Sequence, residues 1–222
     1  MTQGARPSHV LSVTAITEVQ CDGQKLTGVA LEYDKQLQNA EIVASAFVIP
    51  GRSVLRAYTT DRPAPRKDGR DGKDGRYVIV ELDSSDEGAA LCVRRDRAVE
   101  LLEAHVSVAQ SGEVVTVQGE TYPPDPTLRA NDRVVNVVVD DFEQFEYTHP
   151  STGIVLQCNL FVPRDHDPAR SYPLLTFVHD LGCISTDPGP PWPRVLEQSS
   201  GRHRKSGPST RASSWRLSTI LR

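Results

Sequence analysis

No stretch of this 222-residue chain approaches the ~18 consecutive apolar residues of a membrane-spanning helix, so an integral membrane protein is not expected. Met1 to Ser12 lacks a basic segment followed by an apolar one, so no secretory signal is read there. As written the chain is expected in the cytoplasm; a misassigned start would hide a signal, and the protein would then be secreted. Cysteine is sparse: Cys21, Cys92, Cys158 and Cys183 are scattered without Cys-x-x-Cys spacing, which suits neither a zinc site nor a disulfide framework. No metal and no cofactor are expected. The formal net charge of −4 gives no reason to expect nucleic acid as the main partner. Residues 8–130 contain no 10–15-residue helical pattern of the kind a βαβ unit needs. Apolar residues make up 38% of the chain, so a globular core is within reach without apolar material to spare.

The charge is unevenly spread. From Gly189 to Arg222 there are seven basic residues and one acid, which leaves −10 on residues 1–188. That last segment is rich in Ser, Pro and Gly, and neither the helical nor the strand period runs through it. A boundary near Pro188, followed by a disordered basic tail over 189–222, is the plain reading.

Residues 8–130 read as short strands between turn signals. Val10–Val19 alternates and ends in Cys21-Asp22-Gly23, where Asp-Gly marks a hairpin because the turn needs positive φ. Leu26–Tyr33 supplies the return strand. Further strands are expected at Ile42–Ile49, Val54–Tyr58, Tyr77–Leu82, His105–Ala109 and Glu113–Gln118, the last two joined by a tight turn at Ser111-Gly112. Val99–Leu102 fits a short helix or another strand. Such a series suggests a β-sandwich.

Two breaks interrupt it. Asp68-Gly69, Asp71-Gly72 and Asp74-Gly75 form a short Asp-Gly repeat whose carboxylates have the chemistry of a calcium loop. The interleaved Arg66, Lys67, Arg70, Lys73 and Arg76 cancel that field, so a flexible polar loop is expected instead. Tyr122-Pro123-Pro124-Asp125-Pro126 reads as an extended interdomain connector, since closely spaced prolines favour semi-rigid extended chain.

After it, Val134–Val139 is a β-branched run. Phe142–Thr148 alternates, with Phe145 and Tyr147 on one face and Glu146 on the other. His149-Pro150-Ser151-Thr152-Gly153 is a turn, and Ile154–Val162 a longer strand closed by Pro163. Arg164–Tyr172 is a polar loop. Pro173–Val178 is a nearly continuous apolar run, as in a strand buried on both faces, and ends at His179-Asp180-Leu181-Gly182.

The stretch NLFVPRDHDPARSYPLLTFVHDLG resembles the opening of an α/β-hydrolase of the esterase and predicted-peptidase kind. FEYTHPSTGIVLQCNLFVP would be its first hairpin and YPLLTFVHD its third strand. VTAITEVQCDGQKLTGVALEYDK, followed by DGRYVIVELD, resembles the immunoglobulin-like domain that precedes the hydrolase in one such esterase subfamily. The likeness runs over roughly residues 9–188. It implies a mainly β chain: an immunoglobulin-like β-sandwich at 8–130, the first strands of an incomplete α/β-hydrolase sheet at 131–188, and the basic tail at 189–222. It also implies an ester or peptide as small-molecule substrate, with self-association through the immunoglobulin-like domain as an option. Acyl transfer places negative charge on a carbonyl oxygen, and one fixed N–H donor at that oxygen is worth about 2.7–4 kcal/mol. In such hydrolases one donor comes from the loop after the third strand. By resemblance, His179, Asp180, Leu181 and Gly182 frame it, with Asp180 where many relatives carry Gly.

The rest of the machinery is missing. No Gly-x-Ser-x-Gly occurs, and Gly207-Pro208-Ser209 lacks both the closing Gly and a preceding buried strand. His203 precedes any nucleophile, against the order Ser, acid, His. No catalytic nucleophile, acid or base is assigned. One choice of permitted codons from Pro191 onward, read two nucleotides displaced, gives MAQGLGAVVWASPEERAKHPSFVVAP, which has the apolar runs and helix start of a folded protein. The expectation is therefore a member of the hydrolase family truncated by a frameshift near Gly189–Pro191 and inactive. The alternative is an immunoglobulin-like binding module without catalysis, bearing a genuine basic tail.

Overall fold

β-Branched and apolar residues alternating with polar ones, broken by Gly, Pro and Asp, form strands in this chain. A computed structural model describes residues 8–20, 23–65, 72–95, 98–163, 165–174 and 215–217. In chain order the strands are β1 Val10–Gln20, β2 Gly23–Leu37, β3 Phe47–Val48, β4 Val54–Thr60, β5 Gly75–Leu82, β6 Cys92–Arg95, β7 Ala98–Leu101 and β8 Ser107–Gln110. They continue with β9 Val114–Val115, β10 Thr121–Tyr122, β11 Asp125–Ala130, β12 Arg133–Asn136, β13 Phe142–Thr148, β14 Val155–Phe161 and β15 Trp215–Leu217. Among the described residues the only helical pieces are single 3-10 turns, so the chain is mainly β.

Two compact units share these strands. The first comprises Met1–Glu18, Lys25–Leu91 and Leu102–Asn136. Its large sheet has the order β12-β1-β2-β5-β4, and a second sheet has the order β11-β8-β3, with β9 and β10 paired beside them. One apolar cluster joins the two sheets as an immunoglobulin-like sandwich. Val13 and Ala15 of β1, Val29, Leu31 and Tyr33 of β2, and Val78 and Val80 of β5 meet Phe47 and Val108 from the other sheet. Burying each large side chain of this kind is worth about 1.5–3 kcal/mol over leaving it exposed.

The strand reading of 10–19, 26–33, 54–58 and 77–82 holds, each strand running a few residues longer. Residues 42–49 differ. Asn39–Glu41 and Ala44–Ala46 are 3-10 turns, closed by Ile42 N–H to Asn39 O and Ala46 N–H to Val43 O, and only Phe47–Val48 is strand. Ser111-Gly112 does not join a hairpin, because β8 pairs with β3 and β11 while β9 pairs with β10. Its amides instead donate to Ala46 O, and a Cβ at Gly112 would lie 2.8 Å from Ala46 Cβ, so the glycine serves a close approach.

The expected connector at Tyr122–Pro126 is also corrected. Tyr122 is buried in the sandwich core, and Asp125–Ala130 is β11, antiparallel to β8. The prolines suit it because Pro123 and Pro124 lie between strands and Pro126 falls in the irregular register between Asp125 and Arg129. The chain then stays on the first unit. Val13 N–H donates to Asp132 Oδ2 (3.3 Å), and β12 runs parallel to β1 from Thr14–Arg133 to Thr17–Asn136.

The second unit comprises Val19–Gln24, Cys92–Leu101 and Val137–Arg222. β6 and β7 form a hairpin there, which settles the helix-or-strand choice for 99–102 in favour of strand. β13 and β14 pair in unbroken antiparallel register from Phe142–Phe161 to Thr148–Val155, and β15 pairs with β14. Gly153, at φ +69, closes their turn as expected, with its N–H on His149 O.

Candidate functional site

β14 precedes, in chain order, the segment expected by resemblance to hold the oxyanion loop. Beyond Pro163 the polar loop folds around Tyr172, whose hydroxyl accepts the Asp167 N–H (3.0 Å), while the Asp167 carboxylate accepts the Ala169 N–H (2.9 Å). His166 and Arg170 lie against the Tyr172 ring, at 4.9 and 5.9 Å. Leu174 follows. The run 175–178 and all four oxyanion-loop candidates, His179, Asp180, Leu181 and Gly182, lie outside the described residues.

The described residues hold other chemistry-bearing groups, each with a partner. His9 Nδ1 meets Asp34 Oδ2 at 3.1 Å, the half of a catalytic triad in which a carboxylate orients an imidazole. The imidazole lies flat on Tyr122, with centroids 3.6 Å apart, and Tyr122 donates its hydroxyl to Asp34 Oδ1 (2.8 Å). Burial pushes the Asp34 carboxyl up. Hydrogen bonds from His9 and Tyr122, with the charges of His9 and Lys35, outweigh that and hold it below its ordinary value. Burial first, then the bond to Asp34, pushes the Tyr122 phenol up. One carboxylate thus ties the start of β1, the end of β2 and β10 together. No hydroxyl or thiol among the described hydrogen bonds meets the far nitrogen of His9, so the pair works as a clamp.

The face of the large sheet turned away from the sandwich core is also buried at its centre. Ala30, Ile79 and Tyr58 stand in one cross-strand row and are 1%, 0% and 5% exposed, with Ile16 of β1 at 1%. Polar rows flank it. Arg56 reaches Glu81 through two hydrogen bonds of 2.7 and 2.8 Å and lies over the Tyr58 ring, while Tyr58 donates to Glu81 (2.9 Å). In the other row Ser12 donates to Glu32 (2.9 Å). Burial, then the charge and hydrogen bond of Glu32, raises the pKa of Tyr77 there. An antiparallel sheet with one face on a core and the other in water alternates polar and apolar. This sheet does not follow that pattern at its centre, where both faces carry buried apolar side chains. Sequence reading missed it and the clamp alike, since their partners are far apart along the chain.

Of the Asp-Gly repeat, Asp68 and Asp71 lie outside the described residues. Asp74 accepts the Asn39 N–H (2.8 Å) and Lys73 pairs with Asp61. Among the described residues no group of three or more His, Cys, Asp or Glu could hold a metal ion. Cys92 and Cys158 are free, and burial pushes both thiols up, away from nucleophilic character.

A sequence-family profile described as the esterase Ig-like N-terminal domain matches residues 12–123. Among solved structures, a crystal structure of a thermostable esterase superposes with a TM-score of 0.75 at 23% identity. The alignment covers 96% of this chain and 58% of that one, so the chain spans rather more than half of that esterase's length. A search of curated proteins finds no match.

Proposed function

Because the chain belongs to the family of esterase Ig-like N-terminal domains, we propose that it is the leading portion of a serine esterase whose substrate is a small-molecule ester or a peptide. The profile match over 12–123 carries this reading, and the superposition on an esterase over 96% of the chain supports its fold. In it, residues 8–130 are the accessory domain, extended in packing through β12. Within residues 131–188, β13 and β14 are the first strands of the hydrolase sheet, and His179-Asp180-Leu181-Gly182 is the oxyanion loop. In the intact protein a serine attacks the carbonyl, a histidine takes its proton, and a backbone N–H of that loop stabilises the tetrahedral oxyanion. The 222 residues contain no Gly-x-Ser-x-Gly, so no turnover by that route is expected of them. A displaced reading frame after 188 accounts for the basic tail.

The test is hydrolysis of p-nitrophenyl acetate by the purified chain against a denatured control, with fluorophosphonate labelling in parallel. The expected result is neither turnover nor label. Turnover with label on one serine would overturn the inactivity and place the nucleophile.

A further inference from the structure

β4 is the outer strand of the large sheet, and outer strands present unpaired N–H and C=O groups on which another chain can build. In this edge the groups of Thr59 are already used. Its N–H donates to Asn39 Oδ1 (2.8 Å), its carbonyl accepts the Lys73 N–H (3.0 Å), and its hydroxyl donates to Lys73 O (2.7 Å). Asn39 is held in turn by its own N–H on Asp74 Oδ1 (2.8 Å). A Cβ at Gly72 would collide with Asn39 Oδ1, so the loop closes here only because residue 72 is glycine. A register shift between Val54 and Arg56 bends the other end of the strand.

We propose that Asn39, seated by Asp74 and Gly72, is an edge guard: it occupies the strand-pairing N–H of Thr59, beside the Lys73 N–H that takes the carbonyl, and thereby prevents β4 from pairing with β4 of a second copy. The second copy is the fitting occupant. Thr59 turns its N–H and C=O away from β5, and by strand alternation Ala57 does too. An antiparallel pair of β4 strands centred on Tyr58 therefore sets Ala57 of one copy against Thr59 of the other. Arg56 then faces Thr60, not the other Arg56, and its charge is already met by Glu81 within each copy. The two-fold arrangement is self-complementary, as closed dimers require. The segment VLRAYTT carries no acid, proline or glycine to oppose pairing.

The experiment compares the full chain with Asn39→Ala and Gly72→Ala by sedimentation velocity over a concentration series, with hydrogen exchange read by mass spectrometry. Each variant that keeps the native β signal in circular dichroism should associate about tenfold more tightly than the native chain, since two strand-pairing donors are released per dimer. It should gain amide protection confined to 54–60. A folded variant with native association, or with protection gained elsewhere, overturns the guard. Should both variants unfold, the native chain decides. Slow exchange of the Thr59 amide supports the guard, and exchange at the unprotected rate refutes it.

Discussion

Gln110 joins three parts of the sandwich, and replacing it by Leu isolates what its polar atoms do, because the two side chains are close in volume. It is 4% exposed. Its Oε1 accepts the hydroxyl of Tyr33, itself 0% exposed, at 2.8 Å. Its Nε2 donates to the carbonyls of Gly112 (2.9 Å) and Pro123 (3.1 Å). Gln110→Leu removes these three hydrogen bonds and a longer fourth from Nε2 to the Tyr122 carbonyl (3.4 Å), and leaves the Tyr33 hydroxyl buried without an acceptor. At about 1 kcal/mol net per bond, with a further desolvation cost for the orphaned hydroxyl, the loss is about 3–4 kcal/mol. For a unit of this size that is a fall in melting temperature of about 10 °C. Urea unfolding followed by tyrosine fluorescence reads it, since Tyr33, Tyr58, Tyr77 and Tyr122 all lie in the first unit. Adding Tyr33→Phe to Gln110→Leu removes the orphan and should recover about 1 kcal/mol. A loss below about 1 kcal/mol for Gln110→Leu, or a further loss on adding Tyr33→Phe, would refute the reasoning.

Asn131 accepts the Val106 N–H (2.8 Å) and donates to the carbonyls of Ala104 (3.1 Å) and Arg133 (3.2 Å), so Asn131→Ala should cost about 2–3 kcal/mol in the same assay. If 131–136 were a free linker, the cost would be near zero. Asp34 has a lowered pKa in the fold. Its contribution is therefore present above the ordinary carboxyl value of about 3.9 and is lost as pH falls through the lower folded value. Asp34→Asn should lower stability at pH 7 and flatten the part of the acid-unfolding profile below about pH 4, as read by circular dichroism. An unchanged profile would remove the clamp from the account.

Strands with one face on the core were legible because alternation is local. β1, β2, β4 and β5 announce themselves through Val, Ile, Leu and Tyr, β13 alternates through Phe145 and Tyr147 although both stay exposed, and Asp-Gly and His149–Gly153 mark turns through backbone demands that few residues meet. Residues 42–49 deceived because Ile42, Ala46, Phe47 and Ile49 are all buried. Two 3-10 turns place them inward as well as a strand would. The prolines of 122–126 deceived for a related reason: extended chain is equally a connector and a strand edge, and only long-range partners such as Gln110 decide. The His9–Asp34–Tyr122 clamp and the Asn39 guard left no local mark. Asp34 and Asn39 lie 20 or more residues from the groups they hold, and polar residues that meet only in the fold follow no period. The oxyanion-loop reading of His179–Gly182 rests on resemblance alone, through the apolar run Pro173–Val178 before it, and those four residues lie outside the described ones.

The most direct test of the central claim is the coding DNA, read from the codon of Leu175 to several hundred nucleotides beyond that of Arg222. The account predicts that a one-base correction near codon 190 opens a frame encoding a Gly-x-Ser-x-Gly, then an acid and a histidine. If the sequence stands and no frame downstream carries that order, the tail is genuine and the hydrolase assignment describes ancestry alone.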